Sequence, residues 1–215
     1  MYIPHHFRED ELPVLHALIE QTGLATLVTA TSSGLVGTHL PMLLARSRGP
    51  SGTLYGHVAR ANFQWRDSLP QSEALAIFLG PQAYISPNWY ATKRQTGKVV
   101  PTWDYAAIHA YGKAVFFDDH ARLRQIVTEL TEKHELGFAS PWKVEDAPAD
   151  YIESSLHAIV GFEMEIQRLE GKWKLNQNHP LENREGVIAG LRERGEPSGL
   201  DLAAMMAARE SRKDP

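Results

Sequence analysis

The hydrophobic pattern of the first eighty residues predicts one helix followed by a β meander. Leucine and isoleucine recur at helical spacing from Leu12 to Ile19, and Gly23 ends the helix. Four apolar runs rich in β-forming residues follow, joined by short turns: residues 24–30, 35–44, 53–58 and 74–79. Strands that succeed one another through short turns favour an antiparallel sheet or barrel over alternating strand–helix units.

The rest of the chain combines longer strands with amphipathic helices. Strands are predicted over residues 106–117, 158–166 and 171–178, and helices after Asp118 or Asp119 and near residues 151–155. Residues 181–213 predict two helices divided at Gly195-Glu196-Pro197. We therefore expect a mainly β fold with helical additions (α+β). Its main domain covers residues 1–180, and a helical extension over residues 181–215 packs on it or on a partner subunit.

Composition excludes several classes of protein. A net charge of −4 and a pI near 6.2 disfavour a broad, non-specific nucleic-acid surface. The chain has no cysteine, which excludes disulfides and thiolate sites and makes a cytoplasmic location the simplest expectation. No apolar run is long enough to span a bilayer, and no signal-peptide pattern is present, so we expect no membrane partner. The ten histidines lack the spacing of a metal site, and no metal is expected.

The segment 53–65 predicts a strand that runs directly into a short helix. Arg60 follows the strand, and Asn62 is suited to cap the helix. Backbone N–H groups at a helix start, with a guanidinium beside them, can bind a phosphate. The same pattern also fits a capped helix with a solvated arginine, so the residues alone leave both interpretations open.

Four amphipathic aromatic residues flank a loop that carries Lys93, Arg94 and Lys98. They are Trp89, Tyr90, Trp103 and Tyr105. Such residues either pack in a core with their polar tips hydrogen-bonded, or line a cleft for a planar ligand. Both alternatives remain for each of them.

Short motifs in a fixed order resemble the PaiB-type FMN-binding negative transcriptional regulators, nearly from end to end. The motifs are residues 1–4, 38–41 (THLP), 56–62 (GHVARAN), 84–90, 100–105 (VPTWDY) and 174–178 (KLNQN). The resemblance implies an FMN-binding split β-barrel over residues 1–180, a Greek-key-like antiparallel barrel of six strands with flanking helices. It also implies FMN as the cofactor and a homodimer with the site across its two-fold interface.

The resemblance also implies where FMN binds. The phosphate is expected between the second and third strands and the short helix that follows, which here corresponds to His39, Leu40, Pro41, His57, Val58, Ala59, Arg60 and Asn62. Oxidases of this fold place a Ser-Arg-Lys run and a further arginine there. This chain offers one arginine and one histidine instead, so we expect weaker FMN binding.

Three further residues are assigned to the flavin ring, Lys174 and Gln177 by the same resemblance and Trp103 by its place beside the aromatic loop. Lys174 either approaches the ring of the partner's flavin, where a cation stabilises the reduced anion, or is a solvated strand-end lysine. Gln177 either hydrogen-bonds the flavin edge or caps the strand. Trp103 either borders the ring or serves the core. No catalytic residue is predicted.

Two functions remain after this reasoning. One is an FMN-binding negative transcriptional regulator that senses flavin redox or metabolic state and acts through other proteins or weak DNA contact. The other is a flavin-dependent oxidoreductase, similar to flavin reductases or pyridoxamine-phosphate oxidases, with an indirect regulatory effect. A haem-binding variant is more remote, because no histidine stands out as an axial ligand. No helix-turn-helix pattern is present, although residues 93–98 offer a local basic patch.

Overall fold

The computed structural model describes residues 1–69 and 71–211. These residues form an antiparallel sheet of eight strands, seven α-helices and the segments that connect them. The strands are β1 (Arg8–Glu9), β2 (Ala25–Thr31), β3 (Gly34–Leu40), β4 (Leu43–Ala45), β5 (Thr53–Ala59), β6 (Ala74–Ile85), β7 (Thr102–Phe117) and β8 (Ile159–Lys174). The helices are α1 (Leu12–Gln21), α2 (Gln64–Asp67), α3 (Lys93–Thr96), α4 (His120–Glu135), α5 (Ala149–Leu156), α6 (Leu181–Arg194) and α7 (Pro197–Ser211). Within the described residues, no helix has the length and apolar character needed to cross a membrane.

The strands are ordered β3-β2-β6-β7-β8-β5-β4, and β1 pairs separately with β8. This confirms the predicted α+β fold with antiparallel pairing, although the described sheet has eight strands where six were expected. The chain divides into two compact units. The central unit consists of residues 12–78 and 109–169, and the terminal unit consists of residues 1–11, 79–108 and the chain from Glu170 onward.

In the central unit, the pairing of β5 with β8 places apolar side chains on one buried face. The register runs from Thr53 opposite Glu165 to Ala59 opposite Ile159. Leu54 and Val58 of β5 are buried, as are Phe162 and Met164 of β8, whereas Glu163 between them is half-buried and Glu165 is exposed. This period of two is what a sheet with one covered face requires, and it fixes the register because a slip of one residue would expose the core.

In the terminal unit, helix α6 packs on Trp89 through two glycines. A Cβ atom added to Gly190 would lie 2.4 Å from Cδ2 of Trp89, and one added to Gly186 would lie 2.1 Å from the Trp89 carbonyl oxygen. Only hydrogen atoms fit at these positions, so the glycines allow the helix to approach the tryptophan closely. Helices α6 and α7 occupy most of the predicted C-terminal extension; residues 212–215 lie outside the described residues, and the extension's status as a separate domain stays a prediction.

Three of the strand predictions are wrong in their boundaries. The strand expected to end before Gly80-Pro81 continues as β6 to Ile85. Its pairing with β2 reaches only Ile77, so Pro81 lies where a missing N–H breaks no hydrogen bond to that neighbour, and the next N–H, of Gln82, donates to Ser198 Oγ at 2.9 Å.

The predicted strand pair 158–166 and 171–178 is one continuous strand, β8. Residues 167–170, which the prediction leaves out of both strands, belong to β8; Gln167 and Arg168 are exposed, and Leu169 and Glu170 are half-buried. The ends of β8 are fixed by different partners: β5 pairs with its first half, and Arg8 of β1 lies opposite Lys172 near its end. The run 35–44 is also interrupted, because Pro41 and Met42 separate β3 from β4.

Replacing Gly112 of β7 by alanine is predicted to destabilise the fold. The new Cβ atom would lie 2.1 Å from the carbonyl oxygen of Glu165, and backbone atoms on both sides must move to relieve this overlap. Overpacking of this kind costs about 1–3 kcal/mol in the free energy of unfolding. Urea denaturation followed by circular dichroism measures the change.

Gly37→Ala on β3 is the matched control. Its added Cβ would meet the Thr26 Cγ2 atom at 3.6 Å, an ordinary contact. Because alanine restricts the unfolded chain, we expect this variant to be as stable as the natural chain or more stable by up to ~1 kcal/mol. Equal denaturation midpoints for the two variants would contradict the close approach at Gly112.

Candidate functional site

Arg60 binds a carboxylate of its own unit, at the end of β5. Its Nη2 and Nη1 atoms donate to the two carboxylate oxygens of Asp118 at 2.6 and 2.8 Å. Nε donates to the carbonyl oxygen of His157 at 2.5 Å, and Nη2 also donates to that of Ile159 at 2.9 Å. The Arg60 hydrogen bonds hold the pKa of Asp118 below its ordinary value. A phosphate would therefore have to compete with Asp118 for this guanidinium.

Asn62 caps the turn that precedes α2, but the N-cap position of the helix itself is Phe63, one residue after the predicted one. Its Oδ1 atom accepts a hydrogen bond from the backbone N–H of Gln64 at 3.0 Å, and its Nδ2 atom donates to Thr38 Oγ1 at 2.8 Å. The buried Gln64 side chain in turn donates to the carbonyl oxygens of Leu27 and Val36, both at 3.1 Å. These bonds tie the turn to strands β2 and β3, so the cap is held rigidly.

The two histidines predicted at the phosphate site differ in their surroundings. His39 is exposed on β3, and its Nδ1 atom lies 2.8 Å from Thr26 Oγ1. His57 is half-buried on β5, and its Nδ1 atom has no hydrogen-bond partner among the described residues. Burial lowers the pKa of His57, which favours the neutral imidazole.

The remaining residues of the predicted phosphate site offer mainly backbone groups. The side chains of Leu40 and Val58 are buried in the core, Pro41 is half-buried, and Ala59 is exposed but carries only a methyl group. A phosphate at these positions would therefore contact main-chain N–H groups, as phosphates in proteins commonly do.

A cavity of about 510 Å³ opens in the terminal unit, and we name it the terminal cavity. The loop 98–102 forms part of its wall, and residues from Lys174 to Asn183 form another part, with Phe7 and Tyr90 between them in the lining. Its volume falls in the range of small-molecule sites in proteins.

Lys174 is held in the wall of this cavity by three oxygen atoms. Its Nζ atom donates to Thr102 Oγ1 at 2.5 Å, to the Trp103 carbonyl oxygen at 2.6 Å and to Asp104 Oδ1 at 3.2 Å. Three acceptors satisfy the three N–H donors of an ammonium group. Lys174 is therefore a fixed cation, and the alternative of a freely solvated lysine does not describe it.

Asp104 lies behind Lys174 and is completely buried. Its Oδ2 atom has no hydrogen-bond partner among the described residues. Burial raises the pKa of Asp104 to about 6, because the loss of hydration outweighs the attraction of the Lys174 ammonium. The pair therefore changes its net charge near neutral pH, from zero to plus one as the solution becomes acidic.

Tyr90 and His179 form the aromatic part of the cavity wall. Their rings stack with centroids 5.0 Å apart and an interplanar angle of 8°. Burial, together with the charge of Lys174, lowers the pKa of His179. Asn176 lies beside them in the lining with a left-handed backbone (φ 57°); it is 3% exposed, and its Nδ2 donor has no partner among the described residues.

The four aromatic residues of the predicted cleft have different positions. Tyr90 lines the cavity, whereas Trp89 packs against the glycines of α6. Trp103 is 51% exposed and donates from Nε1 to Gln82 Oε1 at 3.0 Å, so it is not a core residue. The ring of Tyr105 faces the ammonium of Lys172, with Nζ 5.3 Å from the ring centroid.

Gln177 hydrogen-bonds the backbone of its own segment. Its Oε1 atom accepts from the N–H of Leu175 at 2.8 Å, and its Nε2 atom donates to the carbonyl oxygen of Trp173. Gln177 therefore caps the end of its own strand, which is one of the two alternatives predicted for it. Of the residues assigned to the flavin ring, Lys174 alone lines the terminal cavity.

Sequence reasoning missed several residues that line the cavity or lie behind its wall. Asp104 and Thr102 lie inside a recognised motif, but nothing in the motif shows that they bind Lys174. His179 and Asn183 were also not singled out; Asn183 holds the cavity wall by accepting from the Thr92 N–H at 3.0 Å. The position of Asn178 next to His179 in a polar run was the one available signal. Among the described residues, no group of three or more His, Asp or Glu is arranged to hold a metal ion.

Comparison with known sequences agrees with the motifs. Residues 1–168 match the family described as "Putative FMN-binding domain". The "Protease synthase and sporulation protein PAI 2" of Bacillus subtilis is 31% identical over 206 residues, which cover 96% of each chain. An uncharacterized protein of Emericella nidulans is 35% identical over 249 residues, covering 100% of this chain and 99% of that protein. The chain therefore belongs to this family of FMN-binding domains, and FMN is its cofactor.

Comparison with solved structures identifies the fold. The "FAD and Heme binding protein from Mycobacterium smegmatis" superimposes with a TM-score of 0.58 and 13% sequence identity, over 85% of this chain and 80% of that one. At this identity the likeness concerns the fold alone, and it confirms the expected split-barrel fold of flavin-binding proteins.

Asp104 is predicted to make the protein less stable as the pH rises from 4 to 7. The raised pKa means that the folded state holds this proton more tightly than the unfolded chain, whose carboxyl ionises near the ordinary value of 3.8. The stability that Asp104 contributes is thus fully present below about pH 4 and is lost as the pH passes 6, by about 3 kcal/mol at most. The free energy of unfolding of Asp104→Asn should lack this decline.

Asp118→Asn is the control with the opposite sign. The pKa of Asp118 is lowered by Arg60, so its contribution is present above its ordinary pKa and is lost as the pH falls. Urea denaturation of the natural chain and both variants between about pH 2 and 7 measures the two differences, the Asp104 effect above about pH 4 and the Asp118 effect below it. Parallel pH profiles for Asp104→Asn and the natural chain would show that Asp104 has an ordinary pKa.

Proposed function

We propose that this member of the FMN-binding family is a negative transcriptional regulator that senses flavin redox or metabolic state. The end-to-end similarity to the Bacillus subtilis protein, whose name refers to protease synthesis and sporulation, is the observation that carries the regulatory part. We also propose that the chain acts as a homodimer, with regulatory proteins or weakly bound DNA as further partners.

The residues of the central unit fit the phosphate end of FMN. His57 Nδ1 is a buried polar atom without a partner in the described part of the chain, a state that costs about 1–3 kcal/mol and that a phosphate or ribityl oxygen would relieve. Asn62, His39 and the backbone of residues 40–41 and 58–59 complete the proposed set. Arg60 belongs to it only if the guanidinium leaves Asp118.

In the proposed homodimer, the residues of the terminal unit fit the ring of the flavin whose phosphate the partner subunit binds. When bound, FMN supplies reversible electron transfer with a change in charge. Lys174, fixed by its three oxygen partners, would favour the more negative state of the ring without any reorganisation. Trp103 and Gln177 are the other residues we propose near the ring.

A flavin-dependent oxidoreductase is the second candidate, and the terminal cavity favours it. An open space of about 510 Å³ beside Lys174 can admit a second molecule, which electron transfer to a substrate requires.

Titration of the FMN-loaded protein with NADPH and NADH, first without oxygen and then in air, distinguishes the two candidates. Sustained NAD(P)H oxidation in air would contradict a purely regulatory role, whereas redox-dependent binding of a partner without turnover would support it.

The roles of His57 and Arg60 are tested by FMN titration of the apo-protein, followed by flavin fluorescence. We expect His57→Leu to weaken binding about five- to tenfold, since one hydrogen bond of ~1–1.5 kcal/mol is lost. His134→Leu, which changes an exposed histidine on α4, is the control and should leave the affinity unchanged.

Arg60 and Asp118 give a paired test of the phosphate site. If Arg60 contacts the phosphate, Arg60→Ala weakens FMN binding about three- to tenfold, and Asp118→Asn strengthens it, because the guanidinium is released. If both variants instead lower the thermal midpoint and leave the FMN affinity unchanged, Arg60 serves the fold alone.

Sedimentation of the FMN-loaded protein tests the proposed homodimer. A monomer at micromolar concentration would contradict it.

A further inference from the structure

We propose that the terminal cavity binds a small organic anion with a flat ring, of which an aromatic carboxylate is the simplest example. The proposal rests on the proposed function in one respect: this molecule would be what the flavin protein senses or reduces. The argument uses the charge, the walls and the unpaired donors of the cavity.

The lining of the cavity is positively charged in an acidic protein. The chain has 26 acidic and 22 basic residues, yet the described residues that line the cavity include no aspartate or glutamate. Its titratable lining residues are His6, Lys98, Lys174, His179 and Tyr90. A concave surface with one sign of charge concentrates ligands of the opposite sign.

Lys98 is the cation available to a ligand. The ammonium of Lys174 is already bound by Asp104 and two further oxygens. Lys98 is exposed at the cavity, and its ammonium has no hydrogen-bond or ion-pair partner among the described residues. A carboxylate that enters the cavity can therefore bind Lys98 without displacing another group.

The walls of the cavity suit a flat apolar body. Val99, Val100 and Pro101 contribute aliphatic surface, and the stacked rings of Tyr90 and His179 contribute aromatic surface. Most small-molecule sites combine such walls with a few polar groups that fix the orientation of the ligand. A volume of about 510 Å³ accepts a molecule much larger than an inorganic ion.

An unpaired buried donor points to the same class of ligand. Asn176 lines the cavity and is almost completely buried, and its Nδ2 atom lacks an acceptor among the described residues. Buried amide donors are normally hydrogen-bonded, so this one requires an acceptor. The oxygens of a carboxylate act only as hydrogen-bond acceptors. The Nδ2 donor of Asn176 and the ammonium of Lys98 both require such acceptors.

Benzoate, added to the FMN-loaded protein, is the probe, and isothermal titration calorimetry measures its binding. We expect benzoate to bind with a Kd in the millimolar range or below, and benzamide, its neutral isostere, to bind at least about fivefold more weakly.

Lys98→Gln should weaken benzoate binding at least about fivefold. Lys93→Gln is the matched control. Lys93 begins the neighbouring helix α3, does not line the cavity and donates to Asn88 Oδ1. This variant should bind benzoate as the natural chain does.

A second variant places a negative charge in the lining. Val100 is 72% exposed, so Val100→Glu is expected to fold normally and to abolish benzoate binding by repulsion. Val115→Glu, at an exposed position of β7 outside the cavity, is its control and should bind benzoate normally.

Three results would overturn the proposal. They are a failure of the natural protein to bind benzoate at about 50 mM, equal binding of benzamide, and benzoate binding that is unchanged in both Lys98→Gln and Val100→Glu. A loss of FMN affinity in Lys98→Gln as large as the loss of benzoate affinity would also overturn it, because the cavity would then belong to the flavin itself. If benzoate binds but FMN does not, the proposed flavin function fails while the anion site stands.

Discussion

The ion pair of Lys174 and Asp104 is the interaction on which the terminal unit's cavity depends. An ammonium and a carboxylate both lose hydration when they are buried, and each needs the other to compensate. Thr102 and the Trp103 carbonyl complete the shell of the ammonium, so its position is fixed by three oxygen atoms of one strand, β7. The cavity wall is thereby rigid at the point where its charge is greatest, which is the property that a site for a charged ligand requires.

The sequence predicts the elements of this fold well and their partners poorly. Alternating apolar residues locate β5 and β7, helical spacing locates α4, and Asp119 caps α4 as one of the two predicted aspartates. Local patterns suffice there because each element is stabilised by its own periodicity and cap. They fail at Pro81, where local composition indicates a turn, and at residues 167–170, where no alternation of apolar residues marks a strand; in both places the strand continues.

The same limit explains what could be predicted of the candidate site. Arg60 and Lys174 are conspicuous in the sequence as cations at strand ends, but their carboxylate partners are 58 and 70 residues away along the chain. No local pattern connects such residues, so a guanidinium bound to Asp118 and a free one give the same sequence signal. The chemistry of a cation depends on its partner, and the partner is known only from the fold.

The buried carboxylate also links the charge of the cavity to pH. Above about pH 6 Asp104 neutralises Lys174, and Lys98 supplies the excess charge; below it Asp104 is protonated, and the ammonium of Lys174 is no longer compensated. His179 adds charge only in more acidic solution, because burial and Lys174 lower its pKa. An anion in the cavity repels the ionised form of Asp104 and so raises the pKa of Asp104 further. Because the coupling between two binding events is reciprocal, the proton and the anion each strengthen the binding of the other. Mild acidity and an organic anion in the cavity would therefore both favour the protonated form of Asp104, in the wall that we propose faces the flavin.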